Sequence, residues 1–408
     1  MSRWLRDTTG GLPRTFWYLW FGTLINRAGG FVIVFMTIYL TTVRDLSATQ
    51  AGLVMGLWAG GGAFGTMLGG IAADRIGRKV TLLTGQVAGA AILLAMAFVT
   101  GLPALAALAF ALGFFAESAR PASSAMLIDI VGEPDRLRAF TLNYWAVNVG
   151  FALAATLAGL AAGLDPHLLF IVDAATTFAT ALFIFVKVPE TGTVRRQDRR
   201  NSSRVGPIER GPGLREVFRD RVFLTFVGLN LFVAFVFMQH LTTLPIAMTR
   251  DGLSSQTYGL VIGLNGLLIV CGQLFIPKLL AGRSRSHLLA AAAVVMGVGF
   301  GLTAFAATPV FYAMTVLIWT VGEMINAPAN STLVAALSPS QMRGRYQGVL
   351  NLSWAVAGFA APVLGGWVQD HVGNSQLWLG CAVIGVVVAV AQVASGPARE
   401  RRAEALAT

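Results

Sequence analysis

Along its 408 residues the chain alternates about twelve long apolar stretches with short polar joints. Six lie near 16–41, 48–72, 80–100, 103–131, 137–163 and 167–188. Six more lie near 222–248, 255–280, 287–306, 310–336, 344–370 and 376–396. At about 1.5 Å of rise per residue, each can cross the roughly 30 Å hydrocarbon core of a bilayer as a helix. Inside a bilayer no water satisfies backbone N–H and C=O groups, so only helices and closed barrels span it. A barrel would need ten-residue segments of alternating polarity, and none occurs. Charged residues make up only 12% of the chain, against about 25% in a soluble domain. The expected fold is therefore an all-α membrane protein with twelve transmembrane helices.

The net charge of +11 invites a nucleic-acid reading, but its placement removes it. Of the 30 Lys and Arg, all but four fall at the N-terminus, in alternate loops or at the C-terminus. Arg44 and Arg250 lie in the opposite loops, and Arg27 and Arg120 lie within spans. Such asymmetry sets orientation, with the basic loops and both termini cytoplasmic. No basic face remains for nucleic acid. The first apolar run has no cleavage site and reads as an uncleaved first helix. Cys271 and Cys381 both lie in apolar spans, without a metal or redox pattern, and read as small core residues.

The two sets of six are copies. Arg44-Asp45 recurs as Arg250-Asp251, Gly52 and Gly56 as Gly259 and Gly263, Glu117 as Glu323, and Trp145-Ala146-Val147 as Trp354-Ala355-Val356. An even number of helices per copy puts both starts on one side of the membrane, which makes a parallel repeat about an axis along the membrane normal. Two pseudo-symmetric six-helix bundles follow, at 1–188 and at 222–408 with its short cytoplasmic tail. Residues 189–221 are basic and poor in apolar side chains, a cytoplasmic linker whose end, 213–220, has the composition of a short amphipathic helix for anionic headgroups.

Charges inside spans are costly and mark candidate sites. The first span carries Asn26 and Arg27 about halfway across, and the fourth carries Glu117 and Arg120 one turn apart on one face, with Pro121 after them. Each is open to a structural reading, an ion pair within the bundle, or a functional one, the lining of a wet cavity. Asp173 in the sixth span suits helix bracing as well as substrate contact. The second span is a ladder of Gly52, Gly56, Gly60, Gly61, Gly65 and Gly69, the spacing that lets helix backbones approach closely.

Between the second and third spans stands GIAADRIGRK, residues 70–79. Gly70, Asp74, Arg75, Gly77, Arg78 and Lys79 fit the pattern Gly, three residues, Asp, Arg, one residue, Gly, two basic residues. The loop resembles the signature loop between helices two and three of the major facilitator superfamily of secondary transporters. In the second copy it is worn to PKLLAGRSRS, 277–286, with Ala281 in place of the acid and Arg285 matching Arg78.

The resemblance implies that the first and fourth spans of each half line a midplane cavity. It thereby selects Asn26, Arg27, Glu117, Arg120, Gln239, His240, Glu323 and Asn326 as candidates for binding substrate and coupling protons. It implies that Asp74 and Arg75, within the signature loop, hold the cytoplasmic side shut. Nothing in the chain matches a phosphate-binding loop, a catalytic nucleophile or a metal set. The protein is expected not to be an enzyme, to need no cofactor or metal, and to draw on an ion gradient. Burial favours a neutral carboxyl and a nearby guanidinium a charged one, so a glutamate that loses its Arg partner can switch protonation. Glu117 has Arg120 beside it and Glu323 has no charged neighbour in its span.

Over essentially its whole length the chain resembles the bacterial twelve-helix drug–proton antiporters. That implies proton-coupled efflux of amphipathic compounds across a bacterial inner membrane, with a monomer expected. It departs from that pattern at Ala109, where an Arg would stand, and at Ala154-Ala155, where Gly-Pro would. Aromatics near the candidate helices, among them Trp17, Phe114, Phe115, Phe235, Phe237 and Trp319, suit amphipathic, often cationic compounds. Arg27 and Arg120 suit an anion instead, so transport of a small anionic metabolite stays open. A sensor or scaffold without transport would need a larger soluble part.

Overall fold

The structure is a computed structural model that describes residues 10–191, 214–272, 275–280, 282–339 and 341–407. Most of the expected linker, 192–213, lies outside the described residues, as does the start of its expected amphipathic helix. What is described there is one turn of helix, Leu214–Val217. Among the described residues there is no strand, and twelve helices are long and apolar enough to cross a membrane.

They are α1 (Arg14–Val43), α2 (Ala48–Arg75), α3 (Arg78–Phe98), α4 (Leu102–Ile130), α5 (Arg136–Leu164) and α6 (His167–Lys187). The second six are α7 (Arg221–Arg250), α8 (Ser255–Gly272), α9 (Arg285–Leu302), α10 (Pro309–Leu337), α11 (Arg343–His371) and α12 (Asn374–Ala394). A further helix, α13 (Gly396–Ala407), follows at the C-terminus.

The chain forms two compact units: 1–36 with 57–206, and 37–56 with 207–408. The end of α1 and the start of α2 thus pack with the second unit, although sequence order places them in the first half. In the first unit α3 packs against α4 and α6, and α1 against α5 and α6. In the second, α9 packs against α10 and α12, and α7 against α11 and α12. The pairings match one for one, so the repeat seen in the sequence is also a repeat of packing.

Glycines permit the closest approaches. Within the first unit Gly61, Gly65 and Gly69 of α2 lie on the carbonyls of Phe110, Phe114 and Ser118 of α4, where an added methyl would overlap the oxygens. Within the second unit Gly52 and Gly56 lie on the carbonyls of Pro362 and Phe359 of α11. One ladder therefore serves two partners, turn by turn, by the small-residue packing that membranes require.

The first span is not one helix. Helix Arg14–Ala28 stops at Gly29-Gly30, a new helix runs Phe31–Ile38, and Tyr39–Val43 is a π-helical turn. A side chain at Gly29 would collide with Thr176 of α6. The freed backbone is re-satisfied by a side chain: the Val32 N–H donates to Asp173 Oδ2 at 3.0 Å. Hydropathy alone reads 16–41 as continuous because Phe31–Ile38 is as apolar as any helix in the chain.

Candidate functional site

In the first unit the candidate residues gather around the break in α1. Asn26 donates to Thr177 Oγ1 at 3.0 Å, and Thr177 donates to Asp173 Oδ1 at 3.4 Å. With the Val32 N–H on its other oxygen, Asp173 is buried and engaged on both sides. It braces α1 to α6. Asn26 belongs to the same brace.

Arg27 follows Asn26, its Cβ close against Gly150 of α5. Among the described residues no carboxylate comes within ion-pair distance of its guanidinium. The charges that act on it from further off are Glu117, Arg120 and Asp173. Glu117 pairs instead with Arg120, at 3.2 Å, through a side chain 17% exposed against 61% for Arg120. The Glu117 stem rests on α2 at Gly62.

In the second unit Glu323 stands one turn after Trp319 on α10, and its setting differs. Its Oε2 accepts from Asn265 Nδ2 of α8 at 2.8 Å, and the same amide reaches Thr320 Oγ1 at 3.1 Å. Among the described residues no cation lies within ion-pair distance of Glu323.

Aromatic rings cluster beside it. Phe237 lies 4.5 Å from the His240 ring, 5.8 Å from Trp319 and 6.0 Å from Trp354. His240 lies 5.6 Å from Trp319, and its Nδ1 meets the Phe237 carbonyl at 2.6 Å. The Trp319 indole N–H is buried without a hydrogen-bond partner.

Two candidates prove more enclosed than their depth suggests. Gln239 is fully buried, its amide donating to Ala361 O at 3.3 Å and accepting from Thr243 at 2.9 Å. It ties α7 to α11 and leaves nothing for a solute in this conformation. Asn326 is buried at 7% exposure. Of the cysteines, Cys381 is buried as expected but Cys271 is exposed on α8. Sequence gives depth along a span, and not direction around the helix.

Of the expected loop 70–79 only Ile76 and Gly77 lie outside a helix, since 70–75 finish α2 and Arg78 opens α3. Gly77, at φ +121°, makes the turn that side chains rarely adopt. Arg78 is buried and pairs with Asp129 of α4, also donating to Ala125 O at 3.0 Å. The N–H groups of Arg78 and Lys79 donate to the two Glu190 oxygens at 3.0 and 3.1 Å. Glu190 thus supplies the anion that a helix N-terminus favours. Lys79 donates to Phe185 O at 2.7 Å. Gly70 lies near Pro121, and Asp74 and Arg75 are exposed.

A model of the Major Facilitator Superfamily matches residues 19–362. The chain belongs to that superfamily. Among similar proteins is an uncharacterised MFS-type transporter of Bacillus subtilis strain 168, YttB, 27% identical over 378 residues that span 91% of this chain and 93% of the relative. Another is the multidrug resistance protein MdtH of Klebsiella pneumoniae strain 342, 26% identical over 375 residues, 89% of each chain. Among solved structures, the nucleoside transporter NupG superposes at a TM-score of 0.79 with 15% identity, covering 94% of this chain and 99% of its own. A D-xylose–proton symporter superposes at 0.73 with 17% identity, covering 92% and 96%. The chain is a multi-pass transporter of small molecules, not an enzyme.

For this superfamily member, sequence reasoning missed Asn265 and Glu190. Asn265 carried a usable signal, as an amide within an apolar span. Glu190 carried none, because its partners lie more than a hundred residues away.

Proposed function

We propose that this transporter exports amphipathic, drug-like compounds in exchange for protons by rocker-switch alternating access, with Glu323 carrying the proton. It would work as a monomer in a bacterial inner membrane with both termini cytoplasmic, an orientation supported by the basic loops. The supporting observation is the setting of Glu323: a carboxyl that, among the described residues, accepts only from the Asn265 amide, one turn from Trp319. A proton can load and leave there without breaking an ion pair, beside rings that suit a hydrophobic cation. The resistance named for MdtH agrees in kind. The test is transport by proteoliposomes offered a panel of dyes, sugars and organic anions with and without an imposed pH gradient. Accumulation of dyes that ignores the gradient would overturn the coupling.

A second reading rests on Arg27, a cation in the first span with no carboxylate at ion-pair distance among the described residues. Such a group can receive an anionic metabolite. Gradient-driven uptake of the organic anions alone, lost in Arg27→Gln, would favour it.

A further inference from the structure

The loop 70–79 and its copy at 277–286 differ in what closes them. In the first unit Asp129 neutralises Arg78 and Glu190 caps the start of α3. At the offset that relates Glu117 to Glu323, Asp129 becomes Ala335, and Arg78 becomes Arg285 one residue further on. Among the described residues no side chain is seen accepting from the first N–H groups of α9, and its N-cap Ser284 makes no capping bond. The nearest acid, Glu400 of α13, reaches only Ser284 Oγ, at 3.4 Å.

Around the start of α9 the second unit has a cavity of about 590 Å3. Arg283, Arg285 and Arg399 line it together with the first turn of α9. Among the described residues neither Arg283 nor Arg285 has a carboxylate within ion-pair distance. Arg399 is 1% exposed. Its terminal nitrogens bond Gln392, at 2.5 Å to the side-chain oxygen, but its Nε is buried without a partner. Burial lowers its pKa to about 10, with Glu400 opposing, so it stays cationic at neutral pH.

Leu280, Leu288 and Leu333 form an apolar wall. Glu400 and Glu404 complete the lining and are exposed, so the arginines keep one positive charge in excess. The cavity lies at the first turn of α9, the end of a span long enough to cross the bilayer.

We propose that this cavity binds the phosphodiester of a membrane phospholipid. Arg283, Arg285 and the open N-terminus of α9 hold the phosphate, Arg399 adds its charge to the wall, and the leucine wall receives the glycerol and the upper acyl chain. Guanidinium groups suit phosphate oxygens by geometry as well as charge. The exogenous phosphate takes the place that Asp129 and Glu190 fill in the first unit. The apolar wall favours a lipid over free phosphate.

The full-length protein in detergent is titrated with phosphatidylglycerol bearing a fluorescent acyl chain. R283Q/R285Q removes two exposed charges and should weaken binding about tenfold. Thr332→Trp, which fills the cavity without altering charge, should also weaken it. R14Q/K187Q, two exposed cations that do not line the cavity, should bind as the parent does. Equal binding by R283Q/R285Q, equal weakening by R14Q/K187Q, or equal binding of a diacylglycerol probe lacking phosphate would each overturn the proposal. Displacement of the probe by inorganic phosphate at equal concentration would overturn the lipid as occupant.

Discussion

At two positions related by the repeat, 117 with 323 and 78 with 285, the first unit supplies a partner for the charge and the second leaves it open. Glu117 pairs with Arg120, whereas Glu323 has, among the described residues, only the Asn265 amide. Arg78 pairs with Asp129, whereas Arg285 faces a cavity. The second unit does form ion pairs elsewhere, Arg250 with Asp370 and Arg402 with Asp220, so the difference is local. A duplicated scaffold can keep one copy of a polar position for stability and release the other for binding. A charge already paired inside the fold costs less to hold in an apolar medium but is less available to a solute or a proton.

The largest effect expected from this contrast is in Glu323→Gln. It keeps the shape and a hydrogen bond to Asn265, so the melting temperature should barely move. Gradient-driven accumulation should fall to the level of protein-free liposomes. Retention of uphill transport would remove Glu323 from coupling.

Next comes Asp129→Ala, which strands Arg78, 6% exposed at its side chain. Removing one partner of a buried pair costs about 3–5 kcal/mol, to be read as lost thermal stability in detergent. Ala335→Ser, at the matching place in the second unit, should leave stability unchanged.

Glu117→Gln should cost under about 1 kcal/mol, because the Arg120 it releases is largely exposed. It should slow transport in part. If it abolishes coupling as completely as Glu323→Gln, the two glutamates are equivalent and the asymmetry fails. The smallest effect belongs to Glu190→Ala, which uncaps α3 at about 1 kcal/mol; no change in thermal stability would show that the cap is idle.

Much of the fold was legible because lipid makes burial uniform along a span. The apolar run at 48–72 became Ala48–Arg75, and 103–131 became Leu102–Ile130. The break in α1 was not legible: Gly29-Gly30 announces a possible stop, but Asp173, which makes the restart tolerable, sits 141 residues from Val32. The site was half legible for the same reason. Hydropathy marked Glu117 and Glu323 as costly, and their neighbours at i+3 settled that only one had a cation within its own helix. It gave no means of finding Asn265 as the partner of Glu323, or of seeing that Gln239 turns into a packed seam.

Glu190 holds the start of α3 with both oxygens, two positions before the stretch 192–213 that leads to the second unit. Residue 190, just ahead of that stretch, is thereby moored to the turn through Gly77. A pull on that segment, or a protein bound to it, would be felt first at the turn through Gly77. Cutting the chain after residue 192 would leave the mooring in place, whereas cutting before 190 would cast it off.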